Sequence, residues 1–325
     1  MTPGPEFFLQ YNALTQGVGV AELQSRTILA VTGSDRAQFL HSFTTNDVKQ
    51  LAIGRGCEAL VTSTQGKTLG HVLIFCEAQQ HVIDTAPQQA STLIAHFERY
   101  VITEDVQFSD RTAELCDLLV AGLNATNVLE ALTGIHPPTE LLTHSSATIA
   151  GHEVAIRRVE LAGPMSYFIQ AAPANAADII AGLKNAGAIL CGLEAIESAR
   201  LEAGIPLFGV DITPENLPQE VARDARAISF TKGCYLGQET VARIDALGHV
   251  NRLLVALNFA GQVVPKTGTE LLAGEQQTGH ITSAAWSPRL NAPLALAYVR
   301  RQHAKPGTAL SSAAGSSKVV ALPLV

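Results

Sequence analysis

The chain has 325 residues, 47% of them hydrophobic and 16% charged, and a formal net charge of −7. That length predicts two or three domains with cores large enough to need no disulfides. The composition excludes a disordered chain, and the nearest approach to a membrane span, 179–196, is broken by Lys184, Asn185 and Glu194. The first basic residue is Arg26, so no targeting segment is expected and a cytoplasmic protein is.

Residues 1–150 carry 7 basic and 15 acidic side chains, and residues 151–325 carry 15 and 14. The five cysteines, Cys57, Cys76, Cys116, Cys191 and Cys234, are widely spaced and odd in number, which argues against a disulfide framework. No C-x-x-C or Cys/His zinc spacing occurs, so no metal site is expected. The chain lacks H-E-x-x-H, G-x-S-x-G, a Walker loop and a strand-borne G-x-G-x-x-G.

In chain order, 27–31 predicts a strand. Thr32-Gly33-Ser34-Asp35 then turns, with Ser34 as the expected cap of a helix bearing Ala37, Leu40 and Phe43. Thr44-Thr45-Asn46-Asp47 ends that helix. Strands are expected at 57–62 and 69–76, joined by the hairpin loop Ser63-Thr64-Gln65-Gly66, and at 81–84. A helix follows Pro87, with Leu93, Ile94 and Phe97 on one face. Further strands are expected at 115–120, 152–159 and 166–171. Helices are expected at 176–186 and 193–203, the second stopped by Gly204-Ile205-Pro206. Mixed elements without strict βαβ alternation predict an α+β fold. Beyond about 246, strand-like runs at 253–259, 278–284 and 294–299 are separated by Gly-, Pro- and Asn-rich turns, as in a small β-barrel.

One stretch stands apart: Lys232-Gly233-Cys234-Tyr235-Leu236-Gly237-Gln238-Glu239, with Arg243 beyond it. The two glycines allow close backbone approach or positive φ. A thiol just before a helix start, two residues from Lys232, is expected to have a lowered pKa. A small buried cysteine in a tight turn is the competing reading.

This octet matches the K-G-C-Y-x-G-Q-E signature, and the chain is identified by it as similar to the YgfZ family. That family lies within the glycine-cleavage T-protein (aminomethyltransferase) superfamily. Supporting blocks are Val31-Thr32-Gly33-Ser34-Asp35, Thr44-Thr45-Asn46-Asp47-Val48, Gln65-Gly66-Lys67, Arg200-Leu201-Glu202-Ala203-Gly204-Ile205-Pro206 and Gly279-His280-Ile281-Thr282-Ser283.

The resemblance implies an α+β fold with three domains ringed around a central channel that holds a folate. Residues 1–47 with 117–212 would form the folate-binding unit. Residues 48–116 with 213–245 would form a second α+β unit carrying the signature, and 246–325 the C-terminal β-barrel. The implied cofactor is tetrahydrofolate or a derivative. The implied function is an accessory factor for assembly or repair of iron–sulfur enzymes, indirectly supporting tRNA modification, with cluster proteins as partners.

By the same resemblance Cys234 and Lys232 carry the chemistry. Gly233, Tyr235, Gly237, Gln238, Glu239 and Arg243 shape that site. Glu202 would pair with the pterin, with Arg200 beside it. T-proteins carry an acidic residue in the strand after the Gln65-Gly66-Lys67 turn; here Thr68-Leu69-Gly70-His71-Val72 has no carboxylate, and His71 stands in that place. Arg26 and Ile196 stand where some relatives have folate-stacking tryptophans. The alternative is a tetrahydrofolate-dependent aminomethyl- or methyltransferase. Direct tRNA binding through Arg223, Arg226, Lys232, Arg243 and Arg252 is disfavoured by the net charge of −7.

Overall fold

The computed structural model describes residues 3–23 and 26–324. The first part of the chain forms α1 (Pro5–Thr15), β1 (Gly19–Glu22), β2 (Thr27–Thr32), α2 (Arg36–Phe43), β3 (Gly56–Thr62), β4 (Thr68–Cys76), β5 (His81–Thr85), α3 (Ala90–Glu98) and β6 (Gln107–Asp110). The middle forms β7 (Cys116–Ala121), α4 (Ala125–Thr133), β8 (His144–Ile149), β9 (His152–Val159), β10 (Ser166–Ala171), α5 (Ala176–Asn185), β11 (Ile189–Leu190), α6 (Leu193–Ala203), α7 (Asp224–Ala227) and α8 (Gln238–Leu247). The last part forms β12 (Arg252–Phe259), β13 (Glu270–Ala273), β14 (Gln276–Ser287), β15 (Ala292–Arg300), β16 (Ala309–Ser312) and β17 (Gly315–Val320).

Two sheets and a barrel result. The first sheet runs β11-β1-β7-β10-β9-β8 and the second β3-β4-β5-β2-β6. Strands β12-β15-β14-β13-β16-β17 close into the barrel, so the expected α+β fold with a C-terminal barrel is what the chain adopts. No helix among the described residues is long and apolar enough to cross a membrane.

Strand alternation decides which faces are buried. On the first sheet, Val20, Leu118, Val120, Ile156 and Ile169 face α4 and α5, meeting Leu129, Ile179 and Leu183. The opposite face, with Leu119, Ala121 and Phe168, packs on Phe7, Tyr11 and Leu14 of α1 and Ala195, Ile196 and Ala199 of α6. Trp286 of the barrel closes that core. On the second sheet, Val61, Val72 and Ile74 meet Phe39 and Leu40 of α2 and Leu93 and Phe97 of α3. Its other face turns Glu58, Leu60, His71 and Leu73 toward the segment after α6.

The sheets correct two expectations. Residues 1–47 do not stay in one unit: β1 pairs with β7 and β11, whereas β2 pairs with β5 and β6 in the other sheet. Hydrophobic β2 is sandwiched between two strands of its own sheet, so register and burial hold it there. Ser34 does not cap α2; Asp35 occupies the cap position, and the Ser34 N–H donates to Asp105 instead.

Candidate functional site

The β3–β4 ladder sets Leu60 opposite His71 and Glu58 opposite Leu73, so Glu58 and His71 are diagonal neighbours on one face. His71 Nε2 lies 2.7 Å from Glu58 Oε1. Arg223, just before α7, grips the same carboxylate from the other side, through Nε at 2.7 Å and Nη2 at 2.5 Å. Burial alone would raise the Glu58 pKa; the hydrogen bonds from Arg223 and His71 outweigh it and hold the carboxyl at about 2. Strand β4 thus meets a carboxylate from the neighbouring strand, at His71. Sequence reading missed Glu58 and the true role of Arg223, because their pairing spans 165 positions.

A second polar cluster sits at the seam between the sheets. Arg26 Nε bonds Asp84 Oδ1 at 2.6 Å, and its guanidinium stacks 5.0 Å from the Phe168 ring centroid. Buried Asp117 of β7 accepts from Gln170. Burial, then the nearby Asp84 charge, push its carboxyl up to about 7. Arg157, wholly buried, lies 4.6 Å over Phe75 and reaches Glu77.

Arg26, Glu58, His71, Leu73, Phe168, Phe208 and Arg223 line a narrow cleft of about 70 Å³ between the sheets. Glu160 and Arg223 also belong to the wall of a larger cavity, about 720 Å³, where the first sheet, the end of α6 and the barrel meet. Arg226, Arg289 and Glu202 stand on its wall beside Leu254, Leu296 and Leu322. That volume is in the range of small-molecule and cofactor sites. Two of the residues expected to meet folate, Arg26 and His71, therefore do share a cleft.

The signature forms a separate feature, and none of its residues lines either cavity. Lys232 is buried, and its ammonium donates to three backbone carbonyls: His41, Thr44 at 2.7 Å and Asn46 at 2.8 Å. A cation here satisfies the orphan carbonyls at the C-terminus of α2. Its three N–H bonds are spent on these carbonyls, so Lys232, expected to carry chemistry with Cys234, anchors the backbone. Gly237 is the required glycine: φ is +82°, and a Cβ there would fall 2.4 Å from Ser63 O. The turn packs on Gly66, and Thr62 Oγ1 donates to Leu236 O at 2.5 Å. Gly233 meets no such constraint. Gln238 Oε1 accepts from Tyr235 N at 3.2 Å, and Tyr235 packs on Ile228 and Val241. Glu239 and Arg243 are exposed on α8. Cys234 is exposed, whereas the other four cysteines are buried or half-buried.

Comparison with known proteins matches residues 9–232 to the GCVT N-terminal domain and residues 252–324 to the glycine cleavage T-protein C-terminal barrel domain. The chain belongs to the glycine cleavage T-protein family. An aminomethyltransferase of Streptomyces avermitilis is 29% identical over 92% of this chain and 83% of its own length. One from Saccharopolyspora erythraea is 27% identical over 97% and 88%. The crystal structure of glycine cleavage system aminomethyltransferase T from Bartonella henselae superposes with a TM-score of 0.88 at 21% identity, covering 98% of this chain and 89% of that one. It shows the same fold.

Within this T-protein fold, Glu202 lines the larger cavity, whereas Arg200 and Ile196 line neither. Glu202 is held from several sides. Its Oε1 accepts from Ser287 at 2.5 Å and from Arg289 N at 3.3 Å; its Oε2 accepts from Tyr11 at 2.5 Å and faces Arg289 Nε at 3.4 Å. A carboxylate has about four lone-pair sites, and three of them accept hydrogen bonds here. Glu202 thus clamps α1, α6 and the barrel together. Arg200 is buried against Glu197, Ile205 O and Asp211, and Asp211 in turn accepts from Thr282 and Ser283 of β14. Ile196 is core, packed with Trp286, and lines neither cavity. Of the basic residues weighed for direct tRNA binding, Arg223 pairs with Glu58, Arg226 with Glu160 and Arg252 with Glu220. Among the described residues no group of three or more His, Cys, Asp or Glu is arranged to hold a metal ion.

Proposed function

We propose that this chain binds a tetrahydrofolate where the two sheets meet the barrel, and serves folate-dependent one-carbon transfer of the aminomethyl or methyl type. The observation that carries this reading is the cavity of about 720 Å³ walled by Arg223, Arg226 and Arg289, which shares Glu160 and Arg223 with the His71–Glu58 cleft. The likeness to aminomethyltransferases over nearly the whole chain supports it.

The residues present fit such a ligand. A folate joins a flat ring with an N–H edge to a carboxylate tail. The narrow cleft takes an edge, not a whole ring. At that edge His71 offers a ring nitrogen, and Glu58 Oε2, which accepts only from Arg223, keeps a lone pair. For the tail, Arg226 and Arg289 each pair with one carboxylate and are 42% and 39% exposed, so they retain N–H donors. Bound tetrahydrofolate supplies the nitrogens that accept the one-carbon unit. The chain's own residues bind and orient: Phe168, Leu73 and Phe208 keep water from the edge, and Arg223 fixes Glu58.

Anaerobic calorimetry with tetrahydrofolate tests this. Saturable binding near one per chain is expected, weakened on the order of tenfold by Arg226→Ala through loss of charge-assisted bonds. Formation of methylenetetrahydrofolate with ammonia release from an aminomethyl donor would establish transfer. Absence of binding to the wild type sinks the reading.

A second reading, an accessory factor of the YgfZ kind acting on iron–sulfur proteins, is favoured by one feature, the exposed Cys234 on a turn pinned by Lys232. Normal cluster-dependent tRNA thiolation in cells carrying Cys234→Ser would dismiss it.

A further inference from the structure

Charged groups around the small cleft are mostly committed to each other. Arg26 is held by Asp84, Arg223 by Glu58, and Arg226 by Glu160. His71 differs. A carboxylate can only accept, so the 2.7 Å contact with Glu58 fixes the imidazole proton on Nε2. Arg223 holds Glu58 through two bonds and stops it from turning away. Nδ1 has no hydrogen-bond partner among the described residues, and the ring lines the cleft. Neutral His71 therefore presents a lone pair, not an N–H, to whatever enters.

We propose that His71 Nδ1 selects the reduction state of the bound pteridine, favouring a tetrahydropteridine over its oxidised form. The inference rests on the folate reading above and names its determinant. A tetrahydropteridine ring carries N–H donors at N5 and N8, which a lone pair accepts. In oxidised folate those nitrogens carry lone pairs of their own, which face Nδ1 with no proton between them. A buried acceptor left facing an acceptor loses its hydrogen bond and keeps its desolvation penalty. Glu58 and Arg223 act as positioning residues, because they set which imidazole nitrogen bears the proton.

The test is a pair of anaerobic titrations at alkaline pH. Wild type is expected to bind tetrahydrofolate at least about tenfold more tightly than oxidised folate. His71→Gln, whose amide can rotate to offer either oxygen or NH₂, is expected to bring the two affinities within about threefold. His71→Ala provides the same comparison without a polar group. An equal ratio in wild type and both variants overturns the proposal and leaves the folate reading standing. No binding of either ligand to wild type overturns both. The ligand-free protein gives an independent readout: ¹⁵N spectra of the His71 ring are expected to show a bare Nδ1 and a protonated Nε2. A protonated Nδ1 in neutral His71 would overturn the proposal whatever the ligand does.

Discussion

Replacing Glu58 with Gln keeps the shape of the side chain and removes its charge. Arg223 then loses the carboxylate it is hydrogen-bonded to and keeps only the more distant charge of Glu160, at a site where only 12% of its side chain is exposed. Breaking a buried pair from one side costs about 3–5 kcal/mol, so that is the expected loss at pH 7. The pH dependence gives the sharper test. The Glu58 carboxyl falls from an ordinary 4.5 to about 2 on folding. A depressed folded pKa contributes stability that is complete above the unfolded value and is lost as pH falls toward the folded one. Between those limits the unfolded state binds the proton first. The contribution is about 3 kcal/mol in full, and a good part of it is gone by pH 3.5. Other carboxylates titrate over the same range, and the difference between wild type and Glu58→Gln cancels them. Urea unfolding followed by circular dichroism, repeated from pH 7 to pH 3.5, should show the gap between the two proteins narrow by on the order of 1 kcal/mol. Parallel curves would mean that Glu58 is not held ionised by Arg223 and His71, and the account of the cleft would fail.

Lys232→Met leaves three carbonyls without their donor; a loss of about 2–4 kcal/mol in urea unfolding is expected, and an unchanged midpoint would contradict the anchoring role. Glu202→Ala removes the shared acceptor of Tyr11, Ser287 and Arg289. It should destabilise by about 2–4 kcal/mol and red-shift the emission of Trp286, which sits in the same core. Asp117 titrates in the opposite sense to Glu58: burial raises its folded pKa to about 7 from 3.8, so the unfolded state loses the proton first and stability falls between those values. Asp117→Asn should therefore gain on wild type as pH rises from 4 to 7, and a constant difference would exclude a protonated Asp117.

Local signals were readable where one face of an element is buried. The strand at 152–159 and the helix at 193–203 lie where periodicity sets them, as β9 and α6. Helix α1 was equally marked, by Pro5 at its first position and Phe7, Tyr11 and Leu14 on one face. Phe8 and Leu9 beside them blur the stripe. The short strands β13, β16 and β17 carry too few alternating residues to stand out, and barrel closure supplies what they lack. Side-chain partners stayed hidden for a different reason. Glu202 in the Arg200–Pro206 block looked like a free carboxylate, because nothing local shows Tyr11 or Ser287 converging on it from 191 and 85 positions away. His71 was visible as a candidate, but its partner lies on the adjacent strand.

The cleft and the signature, though separate, rest on one short segment. Thr45 Oγ1 donates to Ala227 O at 2.5 Å and accepts from Leu60 N at 2.8 Å. The Asn46 amide donates to Glu58 O at 2.8 Å and to Arg226 O at 2.7 Å. The carbonyls of Thr44 and Asn46 receive the Lys232 ammonium. Thr44-Thr45-Asn46 thus joins the backbone under Glu58, the backbone before Ile228 and the lysine of the signature in one hydrogen-bonded knot. Two sequence blocks that seem unrelated in the linear chain have a common physical task. The signature lysine fixes the segment that fixes the β3 backbone bearing Glu58, and through Glu58 the tautomer of His71. Loosening the turn at Lys232 should therefore be felt in the cleft although no signature side chain reaches it. A purely local role for the signature would leave the His71 ¹⁵N resonances of Lys232→Met identical to those of wild type.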